Sequence, residues 1–471
     1  MRIFLKFACL TVRQVCLAGL VVYQTGLAGA VVLSEEAPKK TLAKSIAHYT
    51  MGLVYDSETK ISEAIKEYSK ALEYTNKKPE IYIRLGVDYL ILGNYKKAVE
   101  ALKTAKKFSA DDARPRILLA LAYTELKKFS EAQKEYEEII KINPESLQAL
   151  SSLADLYVLG RKLNEAALIY EELLAKNKGK KSEAMLHFNL GIIYAKMNRL
   201  DDALVQLEET VKLDPKNLEV YLALAILYEA NKKKDESVKK FTELLNIDPK
   251  DIVARRLLAY LYLDHKQPRQ AIQQFEAIIR IEPNDPAAYI DLAILYLKFK
   301  KPNKAKQVVE EAKKNGIKDK KLYTVEGLVY SEESRFKEAL EAYNKALEID
   351  PKDTLINFYV GSAYERMGRK TDAIVFLKKA IQFDEKNAEA YNYLGYIYAD
   401  SGENLDEAIW LINKALEISP QNGAYIDSLG WAYFKQGLYD KAVVELERAS
   451  RLEPDDPTIK EHLNAVKEKL K

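Results

Sequence analysis

One stretch decides the fold of this chain: residues Ala184 to Asn217, AMLHFNLGIIYAKMNRLDDALVQLEETVKLDPKN. Its first half places apolar or small residues three or four positions apart, as at Leu190 and Tyr194, so these residues share one face of a helix. The second half repeats this spacing from Ala203 onward, after a short polar turn. Pro215 then ends the unit, because proline cannot continue a helix. The stretch predicts a helical hairpin that needs neighbouring copies to bury its apolar faces.

Copies of this hairpin follow one another along the chain, and a tyrosine equivalent to Tyr194 marks each of them. The tyrosines are Tyr55, Tyr89, Tyr123, Tyr157, Tyr194, Tyr228, Tyr262, Tyr296, Tyr330, Tyr364, Tyr398 and Tyr433. Nine of the eleven intervals between them are 34 residues long, one is 37 and one is 35. The two longer intervals indicate insertions, one near residues 176–181 and one at 400–404, in loops that tolerate them.

Two other places in the repeat carry small side chains. With Ala184 as position 1, position 8 is glycine or alanine in every copy, as at Gly191. Position 20 is alanine, as at Ala203, except for Ser237 in one copy and a shift of one residue at Ala408. Small side chains at these positions allow the two helices to approach closely, and the tyrosine fills the space beside them.

The complete pattern, L-G-x-x-Y followed by A, an aromatic residue or leucine, A and P, resembles the tetratricopeptide repeat. It is fullest at Leu429-Gly430-Trp431-Ala432-Tyr433, Ala442, Leu446, Ala449 and Pro454. The resemblance covers about residues 45–456 and implies an all-α fold, a right-handed solenoid of about twelve helical hairpins. The last residues depart from the repeat and carry one apolar stripe, typical of a capping helix. The stripe consists of Ile459, Leu463, Val466 and Leu470.

These observations divide the chain into six segments. We expect a signal peptide at 1–30, a lead-in at 31–44, repeats 1–4 at 45–180, a loop insertion at 181–183, repeats 5–12 at 184–456 and a capping helix at 457–471.

The first 30 residues have the features of an export signal. Basic residues precede an uncharged run from Val15 to Leu33, and Ala28 and Ala30 flank a glycine in a small-x-small cleavage pattern. An uncleaved anchor is the alternative, because the 19 uncharged residues could span a bilayer. We therefore expect an exported protein of the bacterial periplasm or cell envelope, which touches the membrane only if this segment is retained.

Composition and motifs argue against several classes of function. The chain has 73 basic and 70 acidic residues, a balance that gives no electrostatic footprint for nucleic acid. Both cysteines, Cys9 and Cys16, lie in the predicted signal peptide, so a mature chain has no thiol for a disulfide or a metal site. Phosphate-binding loops, zinc-protease motifs and serine-hydrolase motifs are absent from the sequence. We expect no catalytic, cofactor-binding or metal-binding residues.

Isolated polar residues have structural interpretations. The acid pairs Asp201-Asp202 and Asp455-Asp456 suit helix starts. The lysine runs at 232–234 and 318–321 are interpreted as solvated turns. The four histidines are interpreted as packing or surface residues: His48, His187, His265 and His462.

The family resemblance implies that the first helix of each pair lines a concave groove, with positions 2, 5, 9, 12 and 13 directed into it. Positions 5 and 9 are apolar in several repeats, and the C-terminal third adds aromatic and polar side chains. The candidate groove residues are Ile83, Val87, Ile117, Leu121, Phe188, Ile192, Leu222, Ile226, Ile290, Ile294, Phe358, Asn392, Tyr393, Tyr396, Trp431 and Phe434. The aliphatic pairs can equally be buried between neighbouring first helices. An open apolar groove favours an amphipathic helix or an extended peptide as partner.

The sequence thus predicts a non-enzymatic scaffold of the bacterial cell envelope that binds a protein partner and supports a secretion, pilus or polysaccharide-export complex. The alternative is an accessory subunit that recruits a transferase or peptidase carried on another chain. Two specialised binding modes of the family are disfavoured. No repeat has the Lys and Asn pair of a chaperone-tail clamp, and only Asn189 occupies position 6, where an asparagine ladder would lie.

Overall fold

The computed structural model describes residues 39–470, which form 25 α-helices and no β-strand. In chain order the helices are α1 (Lys39–Ser57), α2 (Ile61–Tyr74), α3 (Pro79–Ile91), α4 (Tyr95–Phe108), α5 (Ala113–Glu125), α6 (Phe129–Ile142), α7 (Leu147–Leu159), α8 (Leu163–Lys176), α9 (Glu183–Lys196), α10 (Leu200–Leu213), α11 (Leu218–Ala230), α12 (Lys234–Ile247), α13 (Ile252–Asp264), α14 (Pro268–Ile281), α15 (Pro286–Lys298), α16 (Pro302–Lys314), α17 (Lys320–Glu332), α18 (Phe336–Ile349), α19 (Thr354–Arg366), α20 (Lys370–Phe383), α21 (Ala388–Ser401), α22 (Leu405–Ile418), α23 (Gly423–Lys435), α24 (Tyr439–Leu452) and α25 (Pro457–Lys469). Helices α1 to α24 pair into twelve hairpins and α25 follows them, so the predicted all-α solenoid fold is confirmed.

The hairpins fall into two compact units, which meet in the sequence at Pro249 and Lys250. The first unit contains α1 to α12 and the second contains α13 to α25. Of the helices in residues 39–470, none combines the length and the apolar composition needed to cross a membrane.

The predicted signal peptide at 1–30 and the first part of the predicted lead-in lie outside the described residues. Helix α1 begins at Lys39, so the last six residues of the predicted lead-in, 39–44, are already helical.

The turn inside each hairpin is closed by the carbonyl group of the repeat tyrosine. In the hairpin that contains Tyr194, its carbonyl oxygen accepts a hydrogen bond from the backbone N–H of Arg199 at 2.9 Å. The residue just before that donor, Asn198, has a left-handed backbone with φ of 61°. Glycine adopts this conformation at no steric cost, and Gly368 and Gly437 occupy the same place in later turns. The turn between the two helices thus requires one residue with a left-handed backbone.

Close approach of the two helices depends on the small residue at position 8, which faces position 24 of the second helix. A Cβ atom on Gly327 would lie 2.2 Å from the ring of Tyr343, and one on Gly430 would lie 2.6 Å from Leu446. Ala339, at position 20 of the repeat that contains Gly327, is fully buried. The predicted role of these small side chains in helix packing is confirmed.

Both insertions lie between helices. The three-residue insertion is in the loop between α8, which ends at Lys176, and α9, which begins at Glu183. The single insertion is between α21 and α22, where Gly402 and Asn404 both have a left-handed backbone, with φ of 73° and 49°. A second left-handed residue in this turn accommodates the extra length.

Helix α25 covers the end of the second unit. Ile459 packs with Ile426 and Ala449 of the last hairpin, and Val466 packs with Leu446. Asp456 precedes the helix, and its carboxylate accepts hydrogen bonds from the first backbone N–H groups, as at 2.8 Å from Thr458. The helix-start role predicted for this aspartate is confirmed.

Candidate functional site

The candidate groove residues of the first unit lie on α3, α5, α9 and α11. Ile83 and Val87 are only 2% and 4% exposed and belong to the same core cluster as Leu118 and Leu119 of α5. Because α3 and α5 pack against each other there, these two residues are core, which is the alternative that the sequence left open for the aliphatic pairs. The partly buried candidates in this unit are Ile117, Leu121, Phe188, Ile192, Leu222 and Ile226.

In the second unit, the aliphatic pair on α15 separates into a buried and an exposed residue. Ile290 is 7% exposed and packs in the core, so the buried alternative applies to it as well. Ile294, one helical turn later, is 46% exposed. The alternating burial shows that positions 5 and 9 do not share one environment along the array.

The aromatic candidates near the C-terminal end connect neighbouring first helices. The ring of Phe358 on α19 meets the ring of Tyr393 on α21 edge-on, with centroids 5.7 Å apart. The hydroxyl of Tyr393 donates a hydrogen bond to Glu365 Oε2 at 3.0 Å, and Ser362 Oγ lies 3.4 Å from the same hydroxyl. Helices α19 and α21 therefore present one continuous surface.

Trp431 and Phe434 on α23 form a stack that includes a residue of the capping helix. Their rings lie 5.0 Å apart, and the ring of His462 on α25 stacks on Trp431 at 4.0 Å. His462 Nδ1 is 2.9 Å from Asp427 Oδ2, and both side chains are buried. His462 is a packing residue as predicted, but sequence reasoning missed that it completes the aromatic cluster. The i and i+4 spacing of Asp427 and Trp431 places both on one helix face but does not indicate that His462 of another helix joins them.

Four carboxylates act electrostatically on Tyr396, the partly buried tyrosine at position 9 of α21. Its pKa is raised above the ordinary value, first by burial and then by the negative charges of Asp400, Asp427, Glu365 and Glu461. These acids come from four helices, α19, α21, α23 and α25, so the negative field at Tyr396 is a property of the assembled unit.

Two polar atoms in the same region lack a hydrogen-bond partner among the described residues. They are Asn392 Oδ1 on α21 and Trp431 Nε1 on α23. Nearby, Lys435 Nζ lies 5.0 Å from the centre of the Trp431 ring and donates to the carbonyl oxygen of Asp400 at 3.2 Å. One face of the Trp431 ring therefore already lies next to an ammonium group of the same chain, that of Lys435. We call Glu365, Tyr396, Asp400, Trp431, Phe434 and Glu461 the aromatic-acidic surface.

A buried acid cluster in the first unit was not predicted. Asp88 on α3 is 1% exposed, and neither of its carboxylate oxygens has a hydrogen-bond partner in the described chain. Its pKa is raised to about 8, first by burial and then by the negative charge of the nearby Asp56, while Arg84 acts in the opposite direction. Asp56 itself accepts a hydrogen bond from Tyr68 at 2.6 Å. We expect this cluster to make the stability of the first unit depend on pH.

The lysine run at 318–321 is only partly a turn. Lys320 begins α17, and its Nζ lies 2.8 Å from Asp350 and 2.7 Å from Asp353. The interpretation of this lysine as a solvated turn residue is wrong, because it joins α17 to the loop before α19.

Comparison with known families identifies the same repeat along the chain. Models described as tetratricopeptide repeat match residues 46–78, 79–112, 117–181, 194–261, 262–323, 388–422 and 425–456. A model described as TPR repeat matches residues 327–368 and 367–402. No curated protein sequence matches the chain.

Three solved structures are similar to the chain at low sequence identity. The APC/C hetero-tetramer Cut9-Hcn1 is 16% identical over 91% of this chain and 97% of that chain, with a TM-score of 0.44. Yeast Tom70 is 18% identical over 84% of this chain and 96% of that chain, with a TM-score of 0.38. The MamA protein is 23% identical over 36% of this chain and 94% of that chain, with a TM-score of 0.33.

Proposed function

The chain belongs to the tetratricopeptide repeat family, and from this premise we propose that it is a non-enzymatic scaffold that binds a protein partner on the first helices of its repeats. A repeat array of this family is suited to protein–protein interaction. The observation that carries the proposal is the partial exposure of large apolar and aromatic side chains on successive first helices. In the second unit these include Ile294, Tyr396, Trp431 and Phe434. Aromatic residues of this kind are frequent anchors of protein interfaces.

We place this scaffold in the bacterial cell envelope, in support of a secretion, pilus or polysaccharide-export complex. The support is the sequence of the first 30 residues, with basic residues, an uncharged run and a small-x-small pattern. The second candidate is an accessory subunit that recruits a transferase or peptidase of the envelope. The same surface would serve either role, and the partner's identity separates them.

Site-specific photocrosslinking tests where the partner binds. Benzoylphenylalanine at Leu355, at position 2 of α19 and 45% exposed, is expected to trap the partner in intact cells. The matched control is the same probe at Val444, on the second helix α24 and 60% exposed. A crosslink from Leu355 and not from Val444 supports binding by the first helices. Equal crosslinking from both positions, or crosslinking from Val444 alone, contradicts it.

Mass spectrometry of the trapped partner separates the two roles. Identification of structural envelope components supports the role of an assembly scaffold. Identification of a catalytic subunit at equal stoichiometry supports the role of a recruiting subunit. The location is tested on the same material, because export with cleavage leaves a chain that begins after Ala30. A full-length chain with Met1 in the soluble cytoplasm would contradict the envelope proposal.

A further inference from the structure

We propose that the aromatic-acidic surface of the second unit binds a basic segment of the partner, with a lysine or arginine side chain on its aromatic rings and the charge of that side chain near the exposed acids Asp400 and Glu461. This inference rests on the proposed function and adds the chemistry of the ligand. The proposed binding site lies on four helices, α19, α21, α23 and α25.

The surface is continuous across these four helices because each contacts the next through side chains. Phe358 and Tyr393 join α19 to α21, and the Trp431–His462 stack joins α23 to α25. Lys435 on α23 reaches the backbone of Asp400 at the end of α21 and so joins the middle pair. The contacts fix the relative positions of the helices, so an extended ligand would meet a formed surface.

Charge complementarity selects a basic ligand. Acids outnumber bases at the predicted groove positions of this surface. The positions counted are 2, 5, 9, 12 and 13 of α19, α21 and α23, together with position 5 of α25. The acids are Glu365, Glu389, Asp400, Asp427 and Glu461, and the bases are Arg366 and Lys435.

The charges on this face differ in how fully they are already paired. Asp427 is paired with the buried His462. Glu365 is partly buried, accepts the hydrogen bond of the Tyr393 hydroxyl and lies 4.0 Å from Arg366. Asp400 is exposed, with Lys370 3.9 Å away, and Glu461 is exposed as well. A ligand cation would therefore gain most from Asp400 and Glu461, whereas an acidic ligand would add to the excess of like charge.

The aromatic rings supply the second part of the recognition. A lysine or arginine side chain can lay its aliphatic stem on Tyr396 and Phe434 while its charge stays among the carboxylates. The ring of Trp431 already receives the ammonium group of Lys435 at 5.0 Å, so cation–π contact occurs on this surface within the chain itself. An aromatic face rimmed by carboxylates matches a basic side chain better than a purely apolar one.

Binding of two designed peptides to the full chain tests the inference. Both are fluorescein-labelled 12-residue peptides with leucine and phenylalanine at the same positions, and the remaining positions are all lysine in one and all glutamate in the other. Fluorescence anisotropy at low salt is expected to give a dissociation constant at least about tenfold lower for the lysine peptide. Raising the salt concentration should weaken its binding, because the exposed charges become screened.

Variants then locate the site. Asp400→Asn with Glu461→Gln should weaken binding of the lysine peptide by about tenfold, since both acids are exposed and stabilise no core contact. The control, Asp440→Asn with Glu385→Gln, neutralises two exposed acids outside the surface and should change the affinity less than about twofold. Tyr396→Ala should weaken binding, and Tyr396→Phe, which keeps the ring, should not. Circular dichroism of each variant checks that it is folded.

The outcomes separate this inference from the proposed function. If both peptides bind equally well and Tyr396→Ala weakens both, the first helices bind a partner but the basic-ligand inference is wrong. If Asp400→Asn with Glu461→Gln and the control double variant weaken binding equally, the acids act only through long-range charge. The proposed position of the binding site is then wrong. If neither peptide binds, the basic-ligand inference is overturned, and the Leu355 and Val444 crosslinks decide the proposed function independently.

Discussion

At the scale of single residues, the contact between positions 8 and 24 sets how closely the two helices of a hairpin approach. A Cβ on Gly327 would lie 2.2 Å from the ring of Tyr343, whose side chain is 1% exposed. We expect Gly327→Ala to lower the free energy of unfolding by about 1–3 kcal/mol, as overpacking of a core does. Urea unfolding followed by circular dichroism measures this. Gly160→Ala is the control, because its Cβ would meet only backbone oxygens at 3.4 Å or more. Equal stability of Gly327→Ala and wild type would contradict the packing argument.

Asp88 is a second residue with a measurable consequence, through the pH dependence of stability. Its folded pKa of about 8 lies above the ordinary value of 3.8 for an aspartate, because burial and Asp56 disfavour the charged form. The folded state therefore keeps a proton that the unfolded state has lost. The associated stability is fully present below about pH 4 and is lost as the pH rises to about 8, by at most about 1.4 kcal/mol per pH unit.

Asp88→Asn removes this titration, so stability should fall less between pH 5 and pH 8 in the variant than in wild type. Urea unfolding at pH 5, 6.5 and 8 measures the two slopes. Asp111→Asn, at an exposed position, should keep the wild-type slope. The same pH slope in Asp88→Asn and wild type would exclude Asp88 as the source.

At the scale of elements, the capping helix α25 is expected to stabilise the last hairpin by covering its apolar surface. Ile459 and Val466 are 2% and 0% exposed, as the apolar stripe predicts, whereas Leu470, past the end of the helix, is 45% exposed. We expect Ile459→Ala to lower the free energy of unfolding by about 2–4 kcal/mol and to promote aggregation, because the last hairpin loses its cover. Thermal unfolding and light scattering measure both effects. Lys460→Ala, exposed on the same helix, should leave both unchanged. If the two variants behave alike, α25 is not a stabilising cap.

At the scale of the whole molecule, the periodic part of the structure was predictable and the local environments were not. The 34-residue spacing of tyrosines such as Tyr194 predicts the hairpins, because turn closure and helix packing repeat the same contacts in each copy. Val87 is buried and Ile294 is exposed although both occupy position 9, because their burial depends on how neighbouring first helices pack, and the repeat position does not encode that. The acids around Tyr396 come from four helices, so their meeting needs the three-dimensional arrangement.

A repeat array should also respond locally to damage. Each hairpin contacts mainly its neighbours, so its stability is approximately its own plus the interfaces on either side. We expect Gly327→Ala, in the hairpin of α17 and α18, to reduce hydrogen-exchange protection from α15 to α20. The amides of the first unit, α1 to α12, should keep wild-type protection and serve as the internal control. Hydrogen exchange with mass spectrometry on both proteins, under native conditions, measures this. A uniform loss of protection in both units would mean that the chain unfolds as one cooperative body and would contradict the nearest-neighbour account.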